Sequence, residues 1–229
     1  MRVRGMDPKQ LDELNRTERW YWWHRMKRSI VSAAINAFAD PLPGPVLEVG
    51  CGAGRTSSLL ASTGARVVAA DRLSAAVAFA RAHSGCLGTT FDASGKWPFR
   101  EKSFGSVVML DVLEHLQDDS LALHEAARVL KPDGRLILTV PAHPFLFSAW
   151  DDAWGHERRY SYRMLLRLAK AHGFSAIHAG FWNMLSLIPA FFRTWAMFNH
   201  PRGARAEFPA LPNVVNELLS FWGRIEAVL

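Results

Sequence analysis

Two cysteines in 229 residues, Cys51 and Cys86, are too few for a disulfide framework, and their spacing fits no metal-ligand pattern. A reducing compartment, the cytoplasm, is the expected setting. An apolar leader is also missing: Met1-Arg2-Val3-Arg4-Gly5 runs into Asp7, Lys9 and Asp12, so no secretory signal is read. Long uninterrupted hydrophobic runs are scarce. The nearest approach, Ala179 to His200, carries Arg193 as its only charge, but Asn183, Ser186 and Pro189 interrupt it. A spanning helix needs about 20 mostly apolar residues, so a buried helix or a lid over an apolar ligand is expected there, with peripheral membrane contact as the remaining alternative. Acidic residues are outnumbered, 21 against 27 basic ones, giving a formal charge of +6. Part of that excess lies in the first 30 residues. It suits an acidic ligand or a membrane surface, but no nucleic-acid-binding motif accompanies it, and nucleic acid is not an expected partner.

What is present is the composition of a folded protein, 49% hydrophobic and 21% charged. The length suits one domain with additions rather than two. Asp7 and Pro8 read as an N-cap and first-turn proline before a helix over 9–16, and a second helix is expected over 18–39. Pro41-Leu42-Pro43-Gly44-Pro45 ends it. Strands are then predicted at 46–49, 66–70, 88–91, 104–110 and 135–140, with helices at 56–62, 74–83 and 120–130. Ser74 is the expected cap of the second of these, and Pro132-Asp133-Gly134 a turn into the fifth strand. Ser161 should cap a helix over 162–171 that stops at Gly173, and Phe174 to Gly180 should form a sixth strand. Such alternation specifies an α/β, Rossmann-like doubly wound, mainly parallel sheet with helices on both faces. The organisation expected is a single domain: a helical cap (1–40), a ligand-binding core (46–180) and a helical C-terminal extension (181–229).

The apolar run Val46-Leu47-Glu48-Val49 breaks into Gly50-Cys51-Gly52-Ala53-Gly54, and Asp71 follows at the end of the second strand. Alternating glycines after a strand, then a carboxylate one strand-helix-strand later, build a nucleoside pocket. The register is G-x-G-x-G, and Arg55 stands where a dinucleotide loop has its third glycine, which disfavours NAD or FAD. Ligands of an open parallel sheet bind outside the carboxyl ends of its strands. The residues there are Gly50 to Gly54, Asp71-Arg72, Asp92-Ala93, Asp111 to His115 and Pro141-Ala142-His143. The long connection from His143 to Tyr160 adds Trp150, Trp154, His156, Arg158 and Arg159. The plainer reading of those arginines is that they pair with Asp151 and Asp152 and pin the loop.

Over roughly Val46 to Gly180, these pieces together with Leu130-Lys131-Pro132-Asp133-Gly134-Arg135-Leu136 resemble the class I S-adenosylmethionine-dependent methyltransferases. The resemblance is strongest to the small-molecule type that includes quinone-biosynthesis O-methyltransferases, and to a subgroup carrying His156-Glu157-Arg158-Arg159-Tyr160-Ser161. It implies S-adenosyl-L-methionine as cofactor. Glu48 would support the methionine ammonium, and Gly50, Gly52 and Gly54 would line methionine and ribose. Asp71 would hold the ribose hydroxyls, with Arg72 beside the adenine, Asp92 at its amino group and Ala93 at its ring edge. Leu110 or Asp111 would approach the methionine, and Trp23, His24 and Arg28 would close over the cofactor. Relatives carry an antiparallel seventh strand after the helical insert, of which no alternating signal is seen here: either the sequence falls short of that strand or a sheet edge is left for a partner to cover, a homodimer being one such arrangement.

The implied reaction, methyl transfer to a small-molecule or lipid-linked acceptor with oxygen favoured, is an in-line displacement that needs alignment and a base for the acceptor proton. His115 and His156 are the candidate catalytic residues; His143, Trp150 and Tyr160 are candidate substrate contacts. Asp111, Glu114 and His115 lack a third well-spaced ligand, so no metal is expected. A nicotinamide-dependent oxidoreductase and a non-catalytic cofactor-binding or assembly protein are the alternatives from other classes.

Overall fold

The computed structural model describes residues 6–38, 41–183 and 211–227. Five strands, β1 (Val46–Val49), β2 (Val67–Asp71), β3 (Leu87–Thr90), β4 (Phe104–Leu110) and β5 (Leu130–Thr139), form one parallel sheet in the order β3-β2-β1-β4-β5. β1 is central, and the winding reverses between it and β4, which opens a crevice at their carboxyl ends. Both strands are buried along their whole length, as strands with covered faces must be. Leu47, Val107, Met109 and Leu123 pack on one side of the sheet, and Val46, Val108, Leu60 and Ile35 on the other.

Eight helices are described: α1 (Pro8–Thr17), α2 (Trp22–Phe38), α3 (Arg55–Ser62), α4 (Ser74–Ser84), α5 (Asp119–Val129), α6 (Ala149–Trp154), α7 (Tyr162–Ala171) and α8 (Asn213–Glu226). Asp7 caps α1 in a reciprocal box with Gln10, each backbone N–H donating to the other's side chain at 2.8 Å. Ser161 caps α7, accepting from the Met164 N–H. The helix expected from residue 18 begins only at Trp22, because the chain turns at Thr17 to Tyr21 and the Trp22 N–H is taken by Asn216 Oδ1 of α8 at 2.8 Å. Ser74 is not a cap: Leu73 holds that position, and its N–H donates to Asp71. The Pro132-Asp133-Gly134 turn lies inside β5, where Phe104 pairs with Leu130 but Ser106 with Arg135. The intervening residues bulge out around Asp133, at φ +61°.

The sixth strand expected at Phe174 to Gly180 does not form. Residues 175–180 are exposed, and their rings look elsewhere: His178 stacks on Phe38 of α2 at 4.5 Å, and Phe181 on His143 at 5.1 Å. The segment does not pair with β5 but lines the same cleft as Leu136 to Thr139 of that strand. No strand follows β5 among the described residues. The expected lid or helix over 179–200 falls mainly outside the described residues, as does most of the bend at Pro201 to Pro212. Within the described residues no helix is long and apolar enough to cross a membrane.

α8 is inverted relative to an ordinary surface helix. Asn216, Ser220 and Gly223 face α2 and are buried, while Val214, Leu218 and Phe221 are exposed. A Cβ on Gly223 would sit 2.5 Å from Met26 Cγ, so the close approach of α8 to α2 depends on that glycine.

Candidate active site

One cleft of about 1830 Å³ runs from the carboxyl ends of the strands along β5, and of the candidate catalytic, cofactor and substrate residues named from the sequence all line it except Gly54 and Arg28. Gly54 was expected to line the methionine and ribose. At φ +81° it instead begins α3, and a Cβ there would lie 2.4 Å from Ala80 Cα of α4. Its role is close helix packing. Gly50, at φ +76°, is pressed by Val112, whose Cγ2 would be 2.5 Å from an added Cβ. A side chain at Gly50 would therefore disturb the loop after β4 as well as its own.

Asp71 ends β2 with both carboxylate oxygens held: Oδ2 accepts the Gly52 N–H at 3.1 Å and Oδ1 the Leu73 N–H at 3.0 Å. Burial raises its carboxyl above the ordinary range, and these amides work against that rise. Glu48 is 2% exposed and accepts from the Ser57 hydroxyl. Burial pushes it up to about 8 despite that bond. Asp92 is exposed and accepts both the N–H and the hydroxyl of Ser94, while the Ala93 carbonyl accepts from Trp97 Nε1. Arg72 turns toward the N-terminal segment, where it donates to the Met6 carbonyl.

At the end of β4, Leu110 is buried and Asp111 adopts φ +56°. The Asp111 carboxylate accepts from Thr139 Oγ1 at 2.7 Å and pairs with Lys27 Nζ at 2.9 Å. Burial would raise this group, but Lys27 and Thr139 hold it below the ordinary carboxylate range. Lys27 thus ties α2 to the strand edge, a link that no sequence signal distinguished from the wet face of a helix. Trp23 and His24 join Lys27 in the cleft wall. Arg28 does not; its Nη1 donates to the Glu18 carbonyl.

Beyond Asp111 stands a polar cluster. Glu114, His115 and His156 each offer a donor atom within 4.8 Å of the others, so folding supplies the third group that the local spacing lacked, and a metal ion could be held there. Glu114 is 1% exposed, and neither carboxylate oxygen has a hydrogen-bond partner. Burial, with Asp111 nearby, raises it well above the ordinary range. His115 Nδ1 lies 3.2 Å from the Gly155 carbonyl. Burial and the neighbouring His156 push its pKa down to about 4, so it is neutral near pH 7 and a weak base. His156 Nδ1 lies 2.9 Å from Asp151 Oδ1, and the two imidazoles meet edge to face at 4.9 Å.

The segment His156 to Ser161 is accounted for residue by residue. The Glu157 N–H donates to the Glu114 carbonyl. Arg158 pairs with Asp119 at 2.8 Å, not with Asp152. Arg159 grips Asp151 with Nε at 2.8 Å and Nη2 at 3.0 Å. Tyr160 is 1% exposed and its hydroxyl donates to Asp119 at 2.7 Å, so it is spent on the fold. His143, at φ +62°, and Trp150, edge-on to His156 at 6.5 Å, remain at the cleft wall. Asp151 was read from sequence only as a loop pin; the S-x-x-D capping box it forms with Ser148 was the available signal.

Residues 47–138 match the family described as a methyltransferase domain. The chain is 34% identical over 110 residues to the ubiquinone biosynthesis O-methyltransferase of Xanthomonas axonopodis pv. citri (strain 306), covering 46% of each chain. It is 35% identical over 127 residues to the demethylmenaquinone methyltransferase of Tropheryma whipplei (strain Twist), covering 55% of this chain and 51% of that one. In both cases the match spans about half the relative's length. By fold it is similar to magnesium protoporphyrin IX methyltransferase of Synechocystis PCC 6803, solved with bound SAH (TM-score 0.56, 24% identity, 69% of this chain and 76% of that one). With the glycine loop, the β2 carboxylate and the strand order already in place, residues 47–138 are a methyltransferase domain in the fold shared with S-adenosylmethionine-dependent methyltransferases.

Proposed function

We propose that the protein transfers a methyl group from S-adenosylmethionine to a hydroxyl of a small, quinone-like or lipid-linked acceptor. The observation that carries this reading is a single cleft with a nucleoside cradle, Gly50, Gly52 and Asp71, at one end of the β1–β4 crevice and the Glu114–His115–His156 cluster at the other. In this reading Asp71 accepts from the ribose hydroxyls with the lone pairs its two amide donors leave free. Glu48 and the Gly50 backbone face the methionine, and Asp92 with Ala93 borders the adenine. Arg72 supports the cradle through Met6 rather than by touching the ring.

When bound, the cofactor supplies a sulfonium methyl group. The protein aligns the acceptor oxygen with that carbon, which can contribute about 7–11 kcal/mol in favourable cases, and removes the hydroxyl proton at the histidine cluster. Both curated relatives carry quinone names, and one of them is named an O-methyltransferase; the latter supports a ring hydroxyl as acceptor. The aromatic wall of the cleft supports an acceptor with an apolar tail.

Calorimetric titration with S-adenosylmethionine, S-adenosylhomocysteine, NAD and NADP, followed by label transfer from methyl-tritiated cofactor to a panel of catechols, hydroxyquinols and their prenylated forms, tests the reading. Binding of the sulfonium cofactor and its product, with label recovered on oxygen, is expected. Binding of the nicotinamides alone would refute it, and cofactor binding without transfer to any acceptor would refute the hydroxyl assignment.

A further inference from the structure

Two histidines face the acceptor end of the cleft, and their surroundings differ in kind. His115 Nδ1 meets a backbone carbonyl, Gly155 O, at 3.2 Å. His156 Nδ1 meets the carboxylate of Asp151 at 2.9 Å, and Asp151 is fully buried. That carboxylate is held from every side: Arg159 binds it through two nitrogens, and the Ser148 N–H and hydroxyl donate to it at 2.9 and 3.2 Å. Asp151 therefore cannot rotate away. An ionised carboxylate is an acceptor only, so the ring atom facing it must carry the proton. The consequence is a fixed tautomer: Nδ1–H points at Asp151, and Nε2 is left with a lone pair.

We infer that Asp151 is a positioning residue that fixes His156 as the proton acceptor of the site, and that His115 does not fill that role. The inference rests on the methyl-transfer reading for its reaction, but not for its geometry. In the step assigned, the acceptor hydroxyl gives its proton to His156 Nε2, the oxygen lone pair forms the bond to the methyl carbon, and the electrons of the breaking carbon–sulfur bond return to sulfur. The imidazolium so formed lies against Asp151, whose charge Arg159 keeps in place. On His115 the ring nitrogen in the corresponding place, Nδ1, meets a backbone carbonyl and not a carboxylate. The charged or titratable groups facing His156 are Asp151 and Arg159 on one side and Glu114, His115 and Asp111 on the other. The D-x-x-x-G-H-x-R-R stretch from Asp151 to Arg159 is then one device: Gly155, at φ +77°, turns the chain so that both His156 and Arg159 return to Asp151.

Asp151→Asn is the decisive variant. At the Oδ1 position the new amide NH2 loses one Arg159 contact, and the ring can answer by accepting at Nδ1. At the Oδ2 position it would oppose both the Ser148 N–H and Arg159. The first placement costs less, and it moves the ring proton to Nε2. Long-range proton–nitrogen spectra of histidine-labelled protein should show Nδ1–H for His156 in the wild type and Nε2–H in Asp151→Asn. In the serine-protease template, the same exchange at a buried Asp behind a histidine costs about 10⁴ in turnover; here a kcat loss of about 10²–10⁴ is expected, with cofactor affinity and acceptor KM within about twofold. His156→Gln should match that loss, whereas His115→Gln should cost less. If Asp151→Asn fails to fold, the wild-type spectrum with the two histidine variants still decides the matter. A wild-type Nε2–H tautomer overturns the inference whether or not any acceptor turns over. Equal losses in His115→Gln and His156→Gln overturn it too, as does turnover abolished by EDTA and restored by a divalent cation, because the three donors would then be ligands. Absence of transfer to every acceptor, with the expected tautomer present, would fault the proposed reaction and leave the Asp151–His156 pairing standing.

Discussion

Gly54→Ala separates packing from ligand binding at the glycine loop. The residue is left-handed, at φ +81°, and an alanine Cβ would lie 2.4 Å from Ala80 Cα and 2.7 Å from Ala80 N. Those atoms are helix backbone, so α4 as a whole must move. The left-handed conformation costs a non-glycine residue about 1–2 kcal/mol, and overpacking adds about 1–3 kcal/mol; about 3 kcal/mol, within the range the two span together, is taken. At this chain length each kcal/mol lowers Tm by about 2–4 °C, so a fall of about 6–12 °C is expected in a differential scan without ligand. The cofactor Kd, measured by calorimetry well below the lowered Tm, should change less than about threefold, because Gly54 does not line the cleft. An unchanged Tm with affinity lost tenfold or more would refute the packing assignment and return Gly54 to the binding loop.

Asp71→Asn removes the charge from a carboxylate whose oxygens face the cleft. Hydrogen bonds to a charged group contribute about 1.5–3 kcal/mol, so calorimetry should find S-adenosylmethionine bound about 10–100-fold more weakly; an unchanged Kd would remove Asp71 from the cradle. Lys27→Met breaks the pair with Asp111. Breaking fully buried pairs costs about 3–5 kcal/mol, and with these side chains 13% and 28% exposed about 1–3 kcal/mol is expected from urea unfolding at pH 7. Because the folded state holds Asp111 below its ordinary carboxyl range, this stabilisation is full above the unfolded pKa of about 4 and is lost as pH falls through the lower folded value. The gap between wild type and variant should therefore shrink below about pH 4; a gap constant down to pH 2 would assign the loss to packing instead.

The fold was legible wherever local chemistry and tertiary placement agreed. Val46 to Gly54 announced a buried strand, a turn and a nucleoside edge within nine residues, and Asp71 stood where the next parallel strand had to end. The sixth strand failed although Phe174-Ser175-Ala176-Ile177 meets the strand criterion, because the residues that follow, His178 and Phe181, stack on Phe38 and His143, rings from distant parts of the chain. Lys27 was illegible for a related reason: a lysine on an amphipathic helix looks the same whether it meets water or a half-buried aspartate 84 residues away. In the polar cluster, Glu114 and His115 could be seen in one motif, but the 3₁₀ turn that carries them meets His156 only through the fold. The same holds for Tyr160. Its place beside His156 suggested ligand contact, while its hydroxyl was already committed to Asp119.

The inversion of α8 reverses where its sequence is free to change. Its buried side is written in Asn216, Ser220 and Gly223, residues that a hydropathy scan would assign to solvent, while the bulky apolar positions Val214, Leu218 and Phe221 hold nothing in the described fold together. In related chains sharing this α2–α8 contact, the small and polar positions should therefore vary little while the large apolar ones drift, opposite to the usual ranking of a helix. Anyone engineering this protein for solubility has in those three outward residues sites to make polar, and in Gly223 one to leave alone.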